Sequence, residues 1–590
     1  MPENPARPMP VHIPVLIAGG GTVGLSAALF LAHHGVPCLV VESEDRPSRH
    51  PRATGIGPRT VEFLRETGIA EAVDAVAIDM SAGNLGKIST TTLAAAELPE
   101  PAPSATALPA ADPDGKGRFT PAALRGTCPQ NRLDAVLLPA ARDRGALVHH
   151  ATRLLSFEQD ADGVTAIVQT PPRPDGQGGR QVVRAEYLLA ADGARSQVRA
   201  ALGIGTSGPG GIGTPMVNIL FRADLRPYTK GRSFVSCDIM CPEAPGMLLT
   251  VDGAEEWIFH TPYDPGPDEP GTHAPNRDAA GPRAAGTAPP LDAFTPAHCR
   301  ALIRTAVGAP GLDVEVLSTL PWRPRAQLAD RFRDGRVFLL GDAAHTVPPV
   351  GAFGLNTGIA DAHNLAWKLS AVLAGHAGPA LLDSYEAERR PVAARTLEQS
   401  RLRLADPRLH WDRSPRTAAA RRAAGVLDPM VVHLGYRYSS GAVLDPQPEL
   451  PDQDDLARSL DGTPGSRLPH LWLDGDGRRL STLDLVRSRF TLLTGPGGDA
   501  WVAAAREVAD RLGIDLAAHP IGPGAAVTDP AGYWPGIAGL AGDGALLVRP
   551  DQFVGWRAAT LPDDPAEVLA GALTRLLARD GGPASGGRAR

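Results

Sequence analysis

Residues 11–24 read Val11-His12-Ile13-Pro14-Val15-Leu16-Ile17-Ala18-Gly19-Gly20-Gly21-Thr22-Val23-Gly24. An apolar run of strand type at 11–18 enters a G-x-G-x-x-G, and a helix with nearly every face apolar follows over 24–34. A second apolar strand at 38–42 ends in Glu42. Strand, helix and strand in close succession make a βαβ unit, whose parallel sheet must be covered on both faces. In that context Gly19 permits the tight turn, Gly21 lets a pyrophosphate approach the backbone, and Gly24 lets helix and strand pack closely. Thr22 and Val23 open a helix whose free N–H groups and dipole favour phosphate. The Glu42 carboxylate is placed to accept hydrogen bonds from both hydroxyls of an adenosine ribose. The motif predicts a dinucleotide site and does not separate FAD from NAD. The plainer alternative, a Gly-rich turn without a ligand, leaves the coincidence of strand, helix and acid unexplained.

Around this unit the chain has the composition of a globular protein. It has 590 residues, 43% hydrophobic and 21% charged, with a formal net charge of −7. That length implies more than one core. The acidic balance argues against a nucleic-acid partner. Cys38, Cys128, Cys237, Cys241 and Cys299 are odd in number and scattered, so neither a disulfide framework nor a metal site is expected. A reducing, cytoplasmic setting follows. The Pro-rich residues 1–10 lack the pattern of a signal peptide. The most apolar stretch, 14–32, is interrupted by four glycines and a serine, so no membrane span is expected.

Two further turns carry chemistry. Residues 336–340 form an apolar strand ending in Gly341-Asp342-Ala343-Ala344-His345, followed by Pro348-Pro349-Val350-Gly351-Ala352-Phe353-Gly354-Leu355-Asn356-Thr357-Gly358 and a helix through Asp361, Asn364, Trp367 and Lys368. A carboxylate at a strand end can hold a ribityl hydroxyl. A Gly-rich loop entering a helix can aim N–H groups at an electron-rich ring edge, with Pro348, Gly351, Gly354 and Asn356 supporting it. Residues 187–191 are likewise a strand, entering Asp192-Gly193. Alone, each is also consistent with an ordinary turn.

Elsewhere, helices are expected at 59–67, 132–144, 360–374 and 380–398, and short strands at 147–150 and 163–169. Alternation at 217–223, 246–251 and 257–261 suits an antiparallel sheet. The stretches 99–117, 171–180 and 262–290 read as Pro-, Gly- and Ala-rich loops. The C-terminal part reads as a separate small α/β unit: a strand at 490–494, a helix at 500–512, a hairpin of 545–549 with 553–557, and a closing helix at 566–577.

The three motifs in this order resemble the class A flavin-dependent monooxygenases, the p-hydroxybenzoate hydroxylase-like family, and within it the aromatic polyketide hydroxylases typified by tetracenomycin and aklavinone oxygenases. The resemblance implies an α/β multi-domain (α+β) fold in which a Rossmann-like FAD- and NAD(P)-binding domain spans 1–205 and 326–410. An excursion near 80–120 leads toward an antiparallel-sheet substrate domain at 206–325, and a thioredoxin-like domain follows at 411–590. It assigns Asp192-Gly193 to FAD and NAD(P)H, Gly341-Asp342 to the ribityl chain, and Gly354, Leu355 and Asn356 to the flavin. Arg52 matches an arginine near the pyrophosphate and Gln130 a flavin-contacting glutamine. One departure is Ala352, where many relatives carry glycine. His345 reads as structural. Met247, Trp257, Phe259 and His260 are candidate pocket residues in the substrate domain.

The implied reaction takes hydride from NADPH or NADH onto FAD, forms a flavin C4a-hydroperoxide with O2 and hydroxylates a polycyclic aromatic substrate. No catalytic base is identified, and the protein is expected as monomer or homodimer. Baeyer–Villiger oxidation or epoxidation on the same fold is the near alternative, and a non-oxygenating FAD- or ligand-binding module the remote one. Trp322-Arg323-Pro324-Arg325 does not match the tryptophan signature of flavin halogenases. The C-terminal unit has no cysteine, which excludes thiol redox chemistry there.

Overall fold

The computed structural model describes residues 9–79, 86–98, 119–121, 124, 126–171, 179–266, 288–412, 414–447, 456 and 460–579. The three expected loops at 99–117, 171–180 and 262–290 lie wholly or largely outside these residues.

The opening βαβ unit forms as read, with strand His12–Ala18, helix Thr22–His33 and strand Cys38–Val41. It seeds a parallel layer in the order Leu147–His149, Cys38–Val41, His12–Ala18, Gly179–Ala190 and Val337–Leu339. Val15, Leu16 and Ile17 are fully buried, as continuous apolar strands of a two-sided parallel sheet must be. Helix Thr22–His33 packs on helices Gln130–Asp143 and Phe353–Leu373. The N-terminal half of Gly179–Ala190 overshoots this layer and pairs antiparallel with Val164–Thr170, which pairs with Arg153–Gln159.

A second, six-stranded sheet runs Glu315–Trp322, Met216–Arg222, Glu256–Pro262, Gly246–Thr250, Ser236–Ile239 and Lys87–Thr90. It is antiparallel except for the last pair. Its register sorts the side chains by face. Val217, Ile219, Phe221, Leu248, Trp257 and Phe259 form an apolar core with Ile303 and Val307 of helix Pro296–Val307. Asn218, His260 and Met247 stand opposite one another on the other face.

The C-terminal unit holds a four-stranded sheet in the order Leu516–Pro520, Phe490–Thr494, Ala545–Val548 and Val554–Ala558, the first pair parallel and the others antiparallel. Helices Asp499–Leu512 and Pro565–Leu576 share its core. Trp367 of helix Phe353–Leu373 inserts into the same core, edge-on to Phe490 at 5.8 Å, so the unit is docked through a shared apolar seam. Among the described residues no helix is long and apolar enough to cross a membrane.

Candidate active site

Strands His12–Ala18, Gly179–Ala190 and Val337–Leu339 are parallel neighbours, so the turns at Gly19, Asp192 and Gly341 leave the sheet at one edge, beyond the carboxyl ends of the strands. That edge is where open α/β sheets bind ligands. The turns also touch. Gly19 has φ +104°, and a Cβ there would lie 2.4 Å from the Ala191 carbonyl oxygen, beside Asp192. A Cβ on Gly24 would lie 1.9 Å from the Gly19 carbonyl oxygen, the close helix–strand contact the motif requires. A Cβ on Gly21 would meet nothing within 4 Å, so the middle glycine faces the open space a pyrophosphate needs. Val23 turns inward. Cβ atoms on Gly341 and Gly358 would come within 2.9 and 2.7 Å of its Cγ2, so it is the wedge that joins the first motif to the third.

Glu42 Oε2 accepts from the Gly20 N–H at 2.6 Å and Oε1 from the Glu44 N–H at 2.9 Å. A carboxylate so fixed retains acceptor capacity for ribose hydroxyls. The Thr22 hydroxyl donates to Asp134 Oδ1 at 2.5 Å, and burial raises the Asp134 pKa to about 7. Arg52 is exposed, its N–H donates to Gln130 Oε1 at 3.3 Å, and its charge partly offsets the rise that burial gives the pKa values of Asp134 and Asp342. The Asp342 carboxyl lies deep in the protein yet is open on one side, as a group lining a cleft must be, and burial raises its pKa despite His345 and Arg52. Asp192 Oδ2 accepts from the Val198 N–H at 3.1 Å, while Oδ1 is enclosed without a partner. Gly193, at φ +80°, completes that turn. Arg199 bridges two turns by donating to the Ala343 carbonyl at 2.7 Å and the Ala194 carbonyl at 3.0 Å.

Helix Phe353–Leu373 begins about two turns before the expected 360, with no side chain capping its first N–H groups. Gly354 and Gly358 read as loop residues in sequence; within the helix, Gly358 instead permits the close approach to Gly341. Ahead of the helix, Ser400 Oγ holds the Pro348 and Val350 carbonyls at 2.7 and 2.8 Å, and Gly351 takes φ +98°. Ala352 takes φ +55°, a left-handed conformation that suits the glycine of relatives better than alanine. Leu355 is half-buried against the parallel-sheet core. The Asn356 side chain is saturated. Its oxygen accepts from the Gly57 N–H and the Thr60 hydroxyl, both at 2.7 Å, and its amide donates to the Gly55 and Ala352 carbonyls at 3.1 and 2.6 Å. Asn356 therefore clamps the 55–60 segment to the loop that enters helix Phe353–Leu373, leaving that side chain no free donor or acceptor.

Beneath the loop lies a buried charge network that sequence reasoning did not assemble. Asp361 accepts from the Gly341 N–H at 3.1 Å and from Arg389 Nε at 2.8 Å, and pairs with His345 Nε2 at 2.7 Å. Burial opposes its ionisation, but His345 and Arg389 outweigh burial and hold its pKa below the ordinary range. Glu388 takes Lys368 Nζ at 2.7 Å and both Arg549 nitrogens at 2.5 and 2.9 Å. The available signal was Asp361, Asn364 and Lys368 at i, i+3 and i+7, a polar stripe along an otherwise apolar helix.

The substrate-side candidates divide. Trp257 and Phe259 are 2% and 1% exposed on the face packed against helix Pro296–Val307, and Trp257 Nε1 donates to the Ala223 carbonyl. This corrects their assignment to a pocket: the period-2 register of the strand puts them behind the sheet whenever His260 is in front. Met247 and His260 share the opposite face, each partly open.

Residues 12–400 match the family described as FAD binding domain, and 461–579 the family described as aromatic-ring hydroxylase, C-terminal. Tetracenomycin A2 monooxygenase-dioxygenase of Streptomyces glaucescens is 42% identical, with 98% of each chain covered. 4-Methyl-5-nitrocatechol 5-monooxygenase of a Burkholderia species is 37% identical, covering 97% of this chain and 99% of the relative. The crystal structure of aklavinone-11 hydroxylase with FAD and aklavinone superposes with a TM-score of 0.78 at 35% identity, over 97% of this chain and 100% of that one. The chain belongs to the class A flavin-dependent aromatic monooxygenases. FAD is its cofactor, and the open space at Gly21 with the cleft-lining Asp342 fits that group.

Proposed function

We propose that the chain is an NAD(P)H-dependent hydroxylase that inserts one atom of dioxygen into a polycyclic aromatic substrate of polyketide type. The observation that carries the reading is the convergence of the Gly19, Asp192 and Gly341 turns at one sheet edge. The tetracenomycin and aklavinone enzymes among the relatives support the substrate class. Bound FAD supplies two-electron transfer from NAD(P)H and activation of dioxygen.

The residues of the chain bind, orient and shield. Gly19, Gly21, Thr22 and Gly24 present N–H groups to the pyrophosphate, Arg52 adds charge, and Glu42 receives the ribose. Asp342 holds the ribityl chain, with Gly341 shaping its turn. Asp192 and Gly193 border the same cleft. Gln130 and the amides of Gly354 and Leu355 face the ring, while Asn356 fixes the loop that presents them. Val23 acts as the packing wedge.

Residues 1–205 and 326–410 would form a Rossmann-like cofactor domain, and 206–325, with the Lys87–Thr90 strand, the substrate domain. The C-terminal sheet has a parallel pair extended by an antiparallel hairpin, with helices over it, and this order supports a thioredoxin-like reading of that unit. Steady-state oxidation of NADPH and NADH by the holoenzyme tests the reading. Polycyclic phenols should accelerate it several-fold, and a rate indifferent to every aromatic offered would refute it.

A further inference from the structure

The sheet face that carries His260 also carries Ser318. Ser318, on the edge strand of that sheet, bonds through Oγ to His50 Nδ1 at 2.9 Å. His50 lies two residues before Arg52, whose charge reaches both His50 and Asp342. His260 lies deep in the protein but keeps part of its surface open. Its ring meets Trp322 edge to face at 5.6 Å and 88°, and Trp322 Nε1 donates to Asn218 Oδ1, which pins the indole. His260 Nδ1 is enclosed without a partner, whereas Nε2 is unpartnered on the open side.

Those facts decide the tautomer. An N–H at Nδ1 would be a buried, unsatisfied donor, which is costly, while a bare acceptor nitrogen is tolerated better. The proton therefore belongs on Nε2, which becomes a donor on the open side of the ring. Burial first, and then His50, lowers the His260 pKa to about 3, so the ring stays neutral and is unsuited to removing a phenolic proton.

We propose that His260 Nε2–H is the hydrogen-bond donor to an oxygen acceptor, a quinone carbonyl or phenolic oxygen, on the aromatic substrate, and that Trp322, held by Asn218, fixes its ring. This rests on the hydroxylase reading above and adds to it which substituent is recognised and by which atom. Ring systems carrying a peripheral oxygen would be selected over the same skeleton without one.

The test uses the FAD-loaded enzyme, with alizarin and anthracene as tricyclic probes and binding followed by perturbation of the flavin absorbance. His260→Phe and His260→Met remove the donor, and His260→Gln restores one. The donor-less variants should bind alizarin about tenfold more weakly, leave anthracene binding unchanged and raise KM more than they lower kcat, with His260→Gln recovering most of the loss. Equal losses for both probes, or none for alizarin, would overturn the assignment while leaving the hydroxylase reading intact. Failure of the unaltered enzyme to bind either probe would overturn both. If His260→Phe does not fold, His260→Met carries the same comparison.

Discussion

At the loop ahead of helix Phe353–Leu373 two small residues, Gly55 and Ala352, are fitted to each other. Ala352 sits at φ +55° where glycine is preferred, and a Cβ on Gly55 would lie 2.6 Å from the Ala352 Cβ. The left-handed conformation costs an alanine about 1–2 kcal/mol, partly offset by the greater unfolded-state freedom of glycine. Ala352→Gly should therefore stabilise the protein by about 0.5–1 kcal/mol. Gly55→Ala should destabilise it by about 1–3 kcal/mol alone and by much less in the Ala352→Gly background. Thermal unfolding of the four proteins checks this, and strict additivity would refute the contact. Asp361 is the other residue on which the site turns: one side chain binds the Gly341 turn, His345 and Arg389, and so holds that turn to helix Phe353–Leu373.

Between elements, the notable contact joins helix Thr22–His33 to helix Gln130–Asp143 through Thr22 and Asp134. Asp134 is 3% exposed, and burial raises its pKa from 3.8 to about 7. The folded state thus holds a proton that the unfolded chain releases. Its stabilising contribution is full below the ordinary carboxyl pKa, declines as pH rises, and is gone above about 7. A pyrophosphate bound at the same helix terminus, as proposed above, would disfavour ionisation further. Asp134→Asn, which mimics the protonated acid, should remove this pH dependence and be the more stable protein at about pH 8, by a few kcal/mol. FAD affinity of the parent should fall above about pH 7 while that of the variant stays flat; parallel pH profiles for the two would contradict the argument.

The parallel strands were legible because strands buried on both faces are unbroken apolar runs, and the three turns because glycine and aspartate mark them at fixed offsets. Arg153–Gln159 was not legible, since none of its residues is buried and its apolar alternation slips at Leu154-Leu155. Helix Phe353–Leu373 was clipped because glycines needed for packing resemble loop glycines. Which of His260 and Trp257 faces the cleft depends on register, which needs the neighbouring strands. The links from Asp361 to His345 and Arg389 span 16 and 28 residues, and no local pattern announces them.

Across the whole molecule, the C-terminal unit is tied to the cofactor half by charge as well as by the Trp367 seam. Arg549 bonds both Glu388 oxygens and Asp551, and Arg467 chelates Glu62. Arg59, on the helix clamped by Asn356, donates to the Asp551 carbonyl and to Gln552 Oε1, both at 2.7 Å. All these side chains are buried. Burial works against ionised Glu388, yet Arg549 and Lys368 hold its pKa well below the ordinary range. Removing one partner leaves uncompensated buried charge, at about 3–5 kcal/mol. Arg549→Met should therefore split a single cooperative melt into two, with C-terminal structure lost before flavin is released. Coincident near-ultraviolet dichroism and flavin-fluorescence transitions in that variant would argue against the coupling.

The proposed reaction places one oxygen atom of O2 on an aromatic ring bound in this cleft. Incubation of the FAD-loaded enzyme with NAD(P)H, a polycyclic phenol and heavy-isotope dioxygen, followed by mass spectrometry, tests it most directly. The product should gain one heavy oxygen atom, formed in step with NAD(P)H oxidation. Oxidation of NAD(P)H with all the oxygen recovered as hydrogen peroxide, or a product whose new oxygen comes from water, would contradict it.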